Sequence, residues 1–261
     1  MMKIAALQMQ AVAGDVEANL VRIEAAMRDA ARQCATLLVV PELAIPGYGA
    51  GDAMAALAEE PQGPGWRRLA AVSQETKVAV VAGFAERDGE AVYNSALFVD
   101  GDKPPKVYRK SHLYGPYERS LFRPETPTSC LFDHAGMKFG MLICYDVEFP
   151  ENVRRLAMAG AQAVLVPTAL PASDHDEFIA RKMIPVRAFE NQVFVAYVDH
   201  CGADALGSYA GLSGIAAPDG TLLAAAGATG EALLVAALDA DAFGNSAKQN
   251  PYLADLRFNQ A

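Results

Sequence analysis

The feature that most limits what this chain can fold into is the run at 35–41, Ala-Thr-Leu-Leu-Val-Val-Pro, which carries almost no polar residue and stops at Glu42. A strand that is apolar at successive positions needs cover on both faces, so this run belongs inside a layered fold. Its surroundings agree. Residues 3–10 read as a strand, and Asp15 then caps a helix whose apolar residues Val16, Leu20, Ile23, Met27 and Ala30 fall on one face. The chain opens as strand, helix, strand.

Residues 47–64, rich in Gly, Ala and Pro, read as a loop, and 65–75 as a helix. Strands at 78–86 and 91–100 flank Arg87-Asp88-Gly89-Glu90, where the Asp-Gly pair suits a tight hairpin. A run at 106–109 leads to Lys110, and strands at 129–133 and 137–143 lead to Cys144. Helices at 148–159 and 176–190 flank a strand at 163–167, and strands at 193–198, 213–217, 221–225 and 232–238 follow. Helix-linked and hairpin-linked strands in one chain predict an α+β fold, a four-layer αββα sandwich of two mixed β-sheets with helices outside. No repeat or linker divides 1–261, so a single domain is expected, with 241–261 as an extended C-terminal tail.

A net charge of -9 opposes nucleic-acid binding, which needs clustered Lys and Arg. No apolar run reaches the roughly 18 to 20 residues of a membrane span, so no membrane partner is expected. The four cysteines, Cys34, Cys130, Cys144 and Cys201, are too sparse for a disulfide scaffold in 261 residues and fit reduced thiols in the cytoplasm. His112, His134, His175 and His200 lack metal-ligand spacing, and no metal or other cofactor is expected.

Polar residues directly after strands are where distant parts of a layered fold converge on a ligand. Glu42, Lys110 and Cys144 each hold such a position. Singly, a loop carboxylate, a loop ammonium and a packed thiol are ordinary. Together their chemistry closes: a carboxylate can take the thiol proton, and an ammonium can steady the thiolate and a later oxyanion. A Cys-His pair using His112 is the competing arrangement.

The segments Pro41-Glu42-Leu43 with Gly47-Tyr48, 108–113 (Tyr-Arg-Lys-Ser-His-Leu), and 140–146 (Gly-Met-Leu-Ile-Cys-Tyr-Asp) followed by Phe149-Pro150-Glu151 resemble the three signature blocks of the nitrilase, or carbon-nitrogen hydrolase, superfamily. The resemblance extends to 187–192 and to the Gly-Leu-Ser-Gly and Pro-Asp-Gly pieces near 211–220. It implies the αββα sandwich, commonly paired into homodimers or larger homo-oligomers, with Cys144 as nucleophile, Glu42 as general base and Lys110 beside the tetrahedral intermediate. Glu118 matches a second glutamate that the family often places near the cysteine. The backbone amide of Tyr145 is expected to join Lys110 in holding the oxyanion.

The residues after the cysteine, Tyr145-Asp146, resemble amidase members more than true nitrilases, which tend to carry Trp-Glu there. N-carbamoyl amino acid hydrolases usually place arginine in this stretch, which here reads Val147-Glu148-Phe149. The expected substrate is therefore a small carboxamide, neutral or amine-bearing, with Asp146, Tyr48, Tyr114, Tyr117, Thr168 and Ala169 as candidate pocket walls. An N-carbamoyl amidohydrolase, a nitrilase and a non-catalytic binding protein on the same fold are the alternatives.

Overall fold

The computed structural model describes residues 2–257. Its strands, in chain order, are β1 (Met2–Gln8), β2 (Leu37–Val39), β3 (Ala79–Asp88), β4 (Ala91–Val99), β5 (Lys106–Arg109), β6 (Leu131–His134), β7 (Met137–Met141), β8 (Ala163–Pro167) and β9 (Phe194–Val198). A short hairpin of β10 (Ala203–Asp204) and β11 (Gly207–Ser208) comes next, followed by β12 (Gly214–Ala216), β13 (Leu222–Ala225) and β14 (Ala232–Leu238). Two six-stranded sheets result, ordered β14-β1-β2-β3-β4-β5 and β13-β12-β9-β8-β7-β6. Both are mixed: β1, β2 and β3 run parallel, as do β7, β8 and β9, and the outer strands pair antiparallel.

The run around β2 behaves as its composition demands. Leu37 and Val39 join the core between the sheets, where they meet Phe139, Met141 and Val164, while Leu38 and Val40 face Leu20, Ile23, Met27 and Leu69 from the covering helices. All four are fully buried, each worth roughly 1.5–3 kcal/mol by removal from water. Helices Val16–Arg32 and Pro64–Thr76 cover the first sheet; Pro150–Met158 and Ile184–Asn191 cover the second, completing the four-layer α+β sandwich. Asp15 accepts a hydrogen bond from the Ala18 amide at 3.0 Å and so caps the first helix as read from sequence.

Four local expectations change. The 47–64 loop contains a 3-10 turn, Tyr48–Ala53, and a helical turn, Met54–Leu57. The stretch 176–190 is interrupted by a π-helical segment, Ile179–Met183. Glu118 lies on a helix, Gly115–Leu121, that periodicity did not reveal. In place of an extended tail, the chain from 240 forms Ala240–Phe243, Gly244–Gln249 and Tyr252–Asp255 as short helical turns. Aromatic contacts of Phe243 with Phe194 and of Tyr252 with Phe189 dock this piece on the body; 258–261 lie outside the described residues.

Candidate active site

The ends of β2 and β5 bring Glu42 and Lys110 together. The Lys110 ammonium donates to Glu42 Oε1 at 2.6 Å and to Glu118 Oε1 at 2.7 Å, and all three side chains are completely buried. Asn94 on β4 donates to the same Glu42 oxygen at 2.6 Å, and Tyr48 donates to Glu118 Oε1 at 2.7 Å. Glu118 Oε2 accepts from the Tyr114 amide at 2.9 Å. Glu42 Oε2, by contrast, is buried with no hydrogen-bond partner among the described residues. A buried carboxylate oxygen left open in this way is available to a reacting group.

These contacts set the charge states. Burial, with the neighbouring Glu118 charge, pushes the Glu42 carboxyl up to about 7, against the opposing pull of Lys110 and Asn94. Burial works against the Lys110 ammonium, but the two carboxylates outweigh it and hold its pKa well above the ordinary range. Lys110 is therefore a fixed cation, and Glu42 is the group poised to exchange a proton near neutrality.

Cys144 opens a 3-10 turn, Cys144–Glu148, directly after β7 and Leu142-Ile143. Its φ of 44° lies in the left-handed region that side chains with a Cβ rarely adopt, the sharp strand-to-helix geometry that projects a nucleophile. Burial and the Glu42 and Glu118 charges raise its thiol pKa well above normal, while Lys110 and the Ala169 backbone pull it back. The side chain is thus in the field of all three charged residues.

The Tyr145 amide lies at the start of this turn, where an N–H has no acceptor within the helix. The Tyr145 ring packs edge-on against Tyr114 and Phe149 and borders a separate open basin with His112 and Arg119. A cavity of about 250 Å³ lies beside the cluster and is lined by Tyr48, Tyr114, Tyr117 and Ala169 among others. Two expected walls are elsewhere. Thr168 is fully buried, with its hydroxyl donating to the Val166 carbonyl and its own carbonyl accepting from the Glu42 amide. Asp146 is also buried, its carboxylate accepting from the Tyr108 hydroxyl at 2.9 Å and the His112 amide at 2.9 Å and meeting the His112 ring at 2.7 Å. Asp146 thereby staples the Lys110 loop to the cysteine turn and does not face the cavity. His112 is likewise bound to Asp146 and stacked on Phe149, so it is not the partner of Cys144.

The positioning roles of several residues escaped the sequence reading. Gly83 allows the Pro41–Leu43 turn to lie against β3, because a Cβ there would sit 2.1 Å from the Leu43 nitrogen. His200 is buried and held neutral by burial, and its Nε2 meets the Glu42 carbonyl at 2.7 Å. Its neighbour Asp199 accepts from the Leu170 amide at 2.8 Å and so braces the Thr168-Ala169-Leu170 turn. Arg187 donates to the Val147 and Glu148 carbonyls at 2.9 and 2.7 Å, closing the end of the cysteine turn. Among the described residues no group of three His, Cys, Asp or Glu side chains is arranged to hold a metal ion, and no helix is long and apolar enough to cross a membrane.

Residues 3–248 match the carbon-nitrogen hydrolase family model. The chain belongs to that family. Its members hydrolyse carbon-nitrogen bonds other than peptide bonds. Among its relatives, a hydrolase in the pqqF 5' region of Pseudomonas protegens is 43% identical over 249 residues, spanning 93% of this chain and 85% of that protein. An (R)-stereoselective amidase from a Pseudomonas species is 36% identical over 260 residues, spanning 98% of this chain and 92% of that protein. Among solved structures, an amidase variant from Nesterenkonia sp. AN1, with acrylamide added to its active-site cysteine by Michael addition, superimposes with a TM-score of 0.87. It is 33% identical, and the match covers 98% of this chain and 97% of that one. This carbon-nitrogen hydrolase therefore shares its fold with an amidase that carries an active-site cysteine.

Proposed function

We propose that the protein is an amidase that hydrolyses small carboxamides to carboxylic acid and ammonia through a thioester on Cys144. The observation that carries this reading is the buried cluster in which Lys110 bridges two carboxylates while Glu42 keeps one oxygen open and a pKa of about 7. As the Cys144 sulfur attacks the amide carbon, Glu42 takes the thiol proton. Lys110 and the Tyr145 amide hold the oxyanion, in a dry site where each such donor counts for more than in water. Protonated Glu42 passes its proton to the leaving nitrogen, the C–N bond breaks and ammonia departs. Water then loses a proton to Glu42 and attacks the thioester, and the thiol recovers the proton as the acid leaves. Glu118 acts on this chemistry through Lys110, whose ammonium it binds together with Glu42.

Amides are favoured over N-carbamoyl amino acids because no arginine among the described residues lines the cavity: Arg119 borders the neighbouring basin and Arg123 is exposed. The four unbridged cysteines fit a cytoplasmic enzyme. Half-exposed Met158 and Val186 on the outer helices of the second sheet offer apolar surface for a homodimer, which light scattering would reveal. The deciding assay is a kinetic panel of carboxamides, amino amides, N-carbamoyl amino acids and nitriles, with ammonia release as the readout. Carboxamide turnover, a thioester mass adduct on the intact protein and the loss of both in Cys144→Ala are expected. Preference for the carbamoyl compounds, or turnover that survives Cys144→Ala, would refute the proposal.

A further inference from the structure

The cavity beside the cluster is continuous with the reacting groups through two of its walls. Ala169 lines it, and its backbone is one of the groups that pull the Cys144 thiol pKa down; Tyr48 lines it and donates its hydroxyl to Glu118. An acyl group attached to Cys144 has this space as its neighbour.

What the cavity offers that acyl group follows from where its polar atoms are spent. None of the described side chains that line it carries a charge. The Tyr48 hydroxyl is committed to Glu118, the Tyr117 hydroxyl donates to the Tyr48 carbonyl at 2.6 Å and accepts from the Gly51 amide at 3.1 Å, and the Tyr209 hydroxyl donates to Asp204. Three of the four lining tyrosines therefore present ring carbon to the cavity with their hydroxyls already satisfied by the protein, and the hydroxyls of the exposed Tyr114 and Ser208 are its remaining polar side-chain atoms.

The β10–β11 hairpin closes the outer side. Asp204 holds its shape, accepting from the Leu206 amide at 2.8 Å with one oxygen and from Tyr209 with the other. Gly49 makes room for that carboxylate, since a Cβ there would lie 2.2 Å from Asp204 Oδ2. At the tip, Leu206 lines the cavity yet remains 50% exposed. A leucine left half in water at the mouth of an apolar pocket gains burial when an apolar group fills the pocket.

We infer that this hairpin is a specificity element, with Leu206 selecting amides whose acyl group is uncharged and apolar. The inference rests on the amidase reading above and narrows it, since amine-bearing amides would meet no acidic group among the described residues that line this cavity. The volume of about 250 Å³ accommodates roughly eight water-sized groups, which corresponds to a hexanoyl or phenylacetyl group.

The test is kcat/KM for acetamide, propionamide, butyramide, hexanamide and phenylacetamide, set against glycinamide and succinamic acid. Wild-type enzyme is expected to gain about fourfold per added methylene until the cavity is full. The two charged amides should fall at least about tenfold below uncharged amides of similar size. Leu206→Ala should reduce the hexanamide-to-acetamide ratio about fivefold or more, and Leu206→Asp should raise glycinamide relative to butyramide. A flat wild-type series, or a preference for glycinamide or succinamic acid, overturns the inference while leaving the amidase reading intact. Failure to hydrolyse any of the amides overturns both.

Discussion

Replacing Glu42 by glutamine should abolish turnover and at the same time make the protein more stable above pH 7. Burial raises the Glu42 carboxyl from an ordinary 4.5 to about 7, so the folded protein binds this proton more tightly than the unfolded chain does. The stabilisation from that proton is complete below 4.5, declines as the unfolded carboxylate ionises, and is gone once pH passes about 7. At about 1.4 kcal/mol per pH unit, wild type should lose about 2–3 kcal/mol between pH 5 and 8 from this group. The glutamine side chain has no such proton to lose, and its amide oxygen can still accept from Lys110 and Asn94 as Glu42 Oε1 does. The variant is therefore expected to melt near wild type at pH 5 and about 5–10 °C above it at pH 8, for a chain of this size. Thermal melts at half-unit intervals from pH 5 to 9 give the curve. A Tm difference that is flat with pH, or that moves in favour of wild type as pH rises, would refute the electrostatic reasoning.

Lys110→Met should have the opposite sign: two buried carboxylates lose the cation that bridges them, costing about 3–5 kcal/mol at pH 8 and less at pH 5, where Glu42 is protonated. Denaturant melts at the two pH values measure it. His200→Ala should lower kcat by roughly 10- to 100-fold through displacement of the Glu42 backbone, with KM changing little, because His200 touches the base and not the cavity. Gly83→Ala should cost both stability and kcat, since the added carbon meets backbone atoms of the Glu42 turn that have no room to yield; steady-state kinetics beside a thermal melt checks it. Iodoacetamide inactivation should rise with pH through an inflection near 7, reporting Glu42, and in Glu42→Gln the inflection should move to or beyond the ordinary thiol value of 9. An inflection near 9 in both proteins would remove Glu42 from the activation of the thiol.

The parts of the site that were legible in the sequence are those set by strand ends. Glu42, Lys110 and Cys144 each follow a strand whose residues announce themselves, and the layered fold brings those ends together. Glu118 was visible only through resemblance, because its seven-residue helix begins with Gly115-Pro116 and is too short to show a period. Asp146 was misplaced by its closeness to Cys144 in sequence: in a 3-10 helix, with three residues per turn, side chains two apart point roughly 120° away from each other. That turn sends Asp146 toward Tyr108 and His112. The β10–β11 hairpin went unread for a related reason, being built from Ala, Asp, Gly and Ser with none of the β-branched residues that mark strands. His200 and Gly83 act through backbone atoms, and no sequence pattern records which carbonyl a side chain will meet.

The charge count of the cluster explains why, in the proposed mechanism, one residue can serve as both acceptor and donor. Two carboxylates share one ammonium in a space closed to water, so with both ionised the cluster carries an excess negative charge. That excess discourages a free thiolate, and the Cys144 proton stays on sulfur at rest. The same excess raises Glu42 toward neutrality and makes it a better base than an ordinary carboxylate. In the mechanism proposed above, sulfur becomes strongly nucleophilic only while its proton is moving to Glu42, which ties proton transfer to attack. Had Lys110 faced a single carboxylate, Glu42 would have ionised at lower pH and been a weaker base, slower to take the proton from the thiol. On that proposal, Glu118 tunes the base without touching the reacting atoms, by taking a share of the one cation that Glu42 would otherwise hold alone.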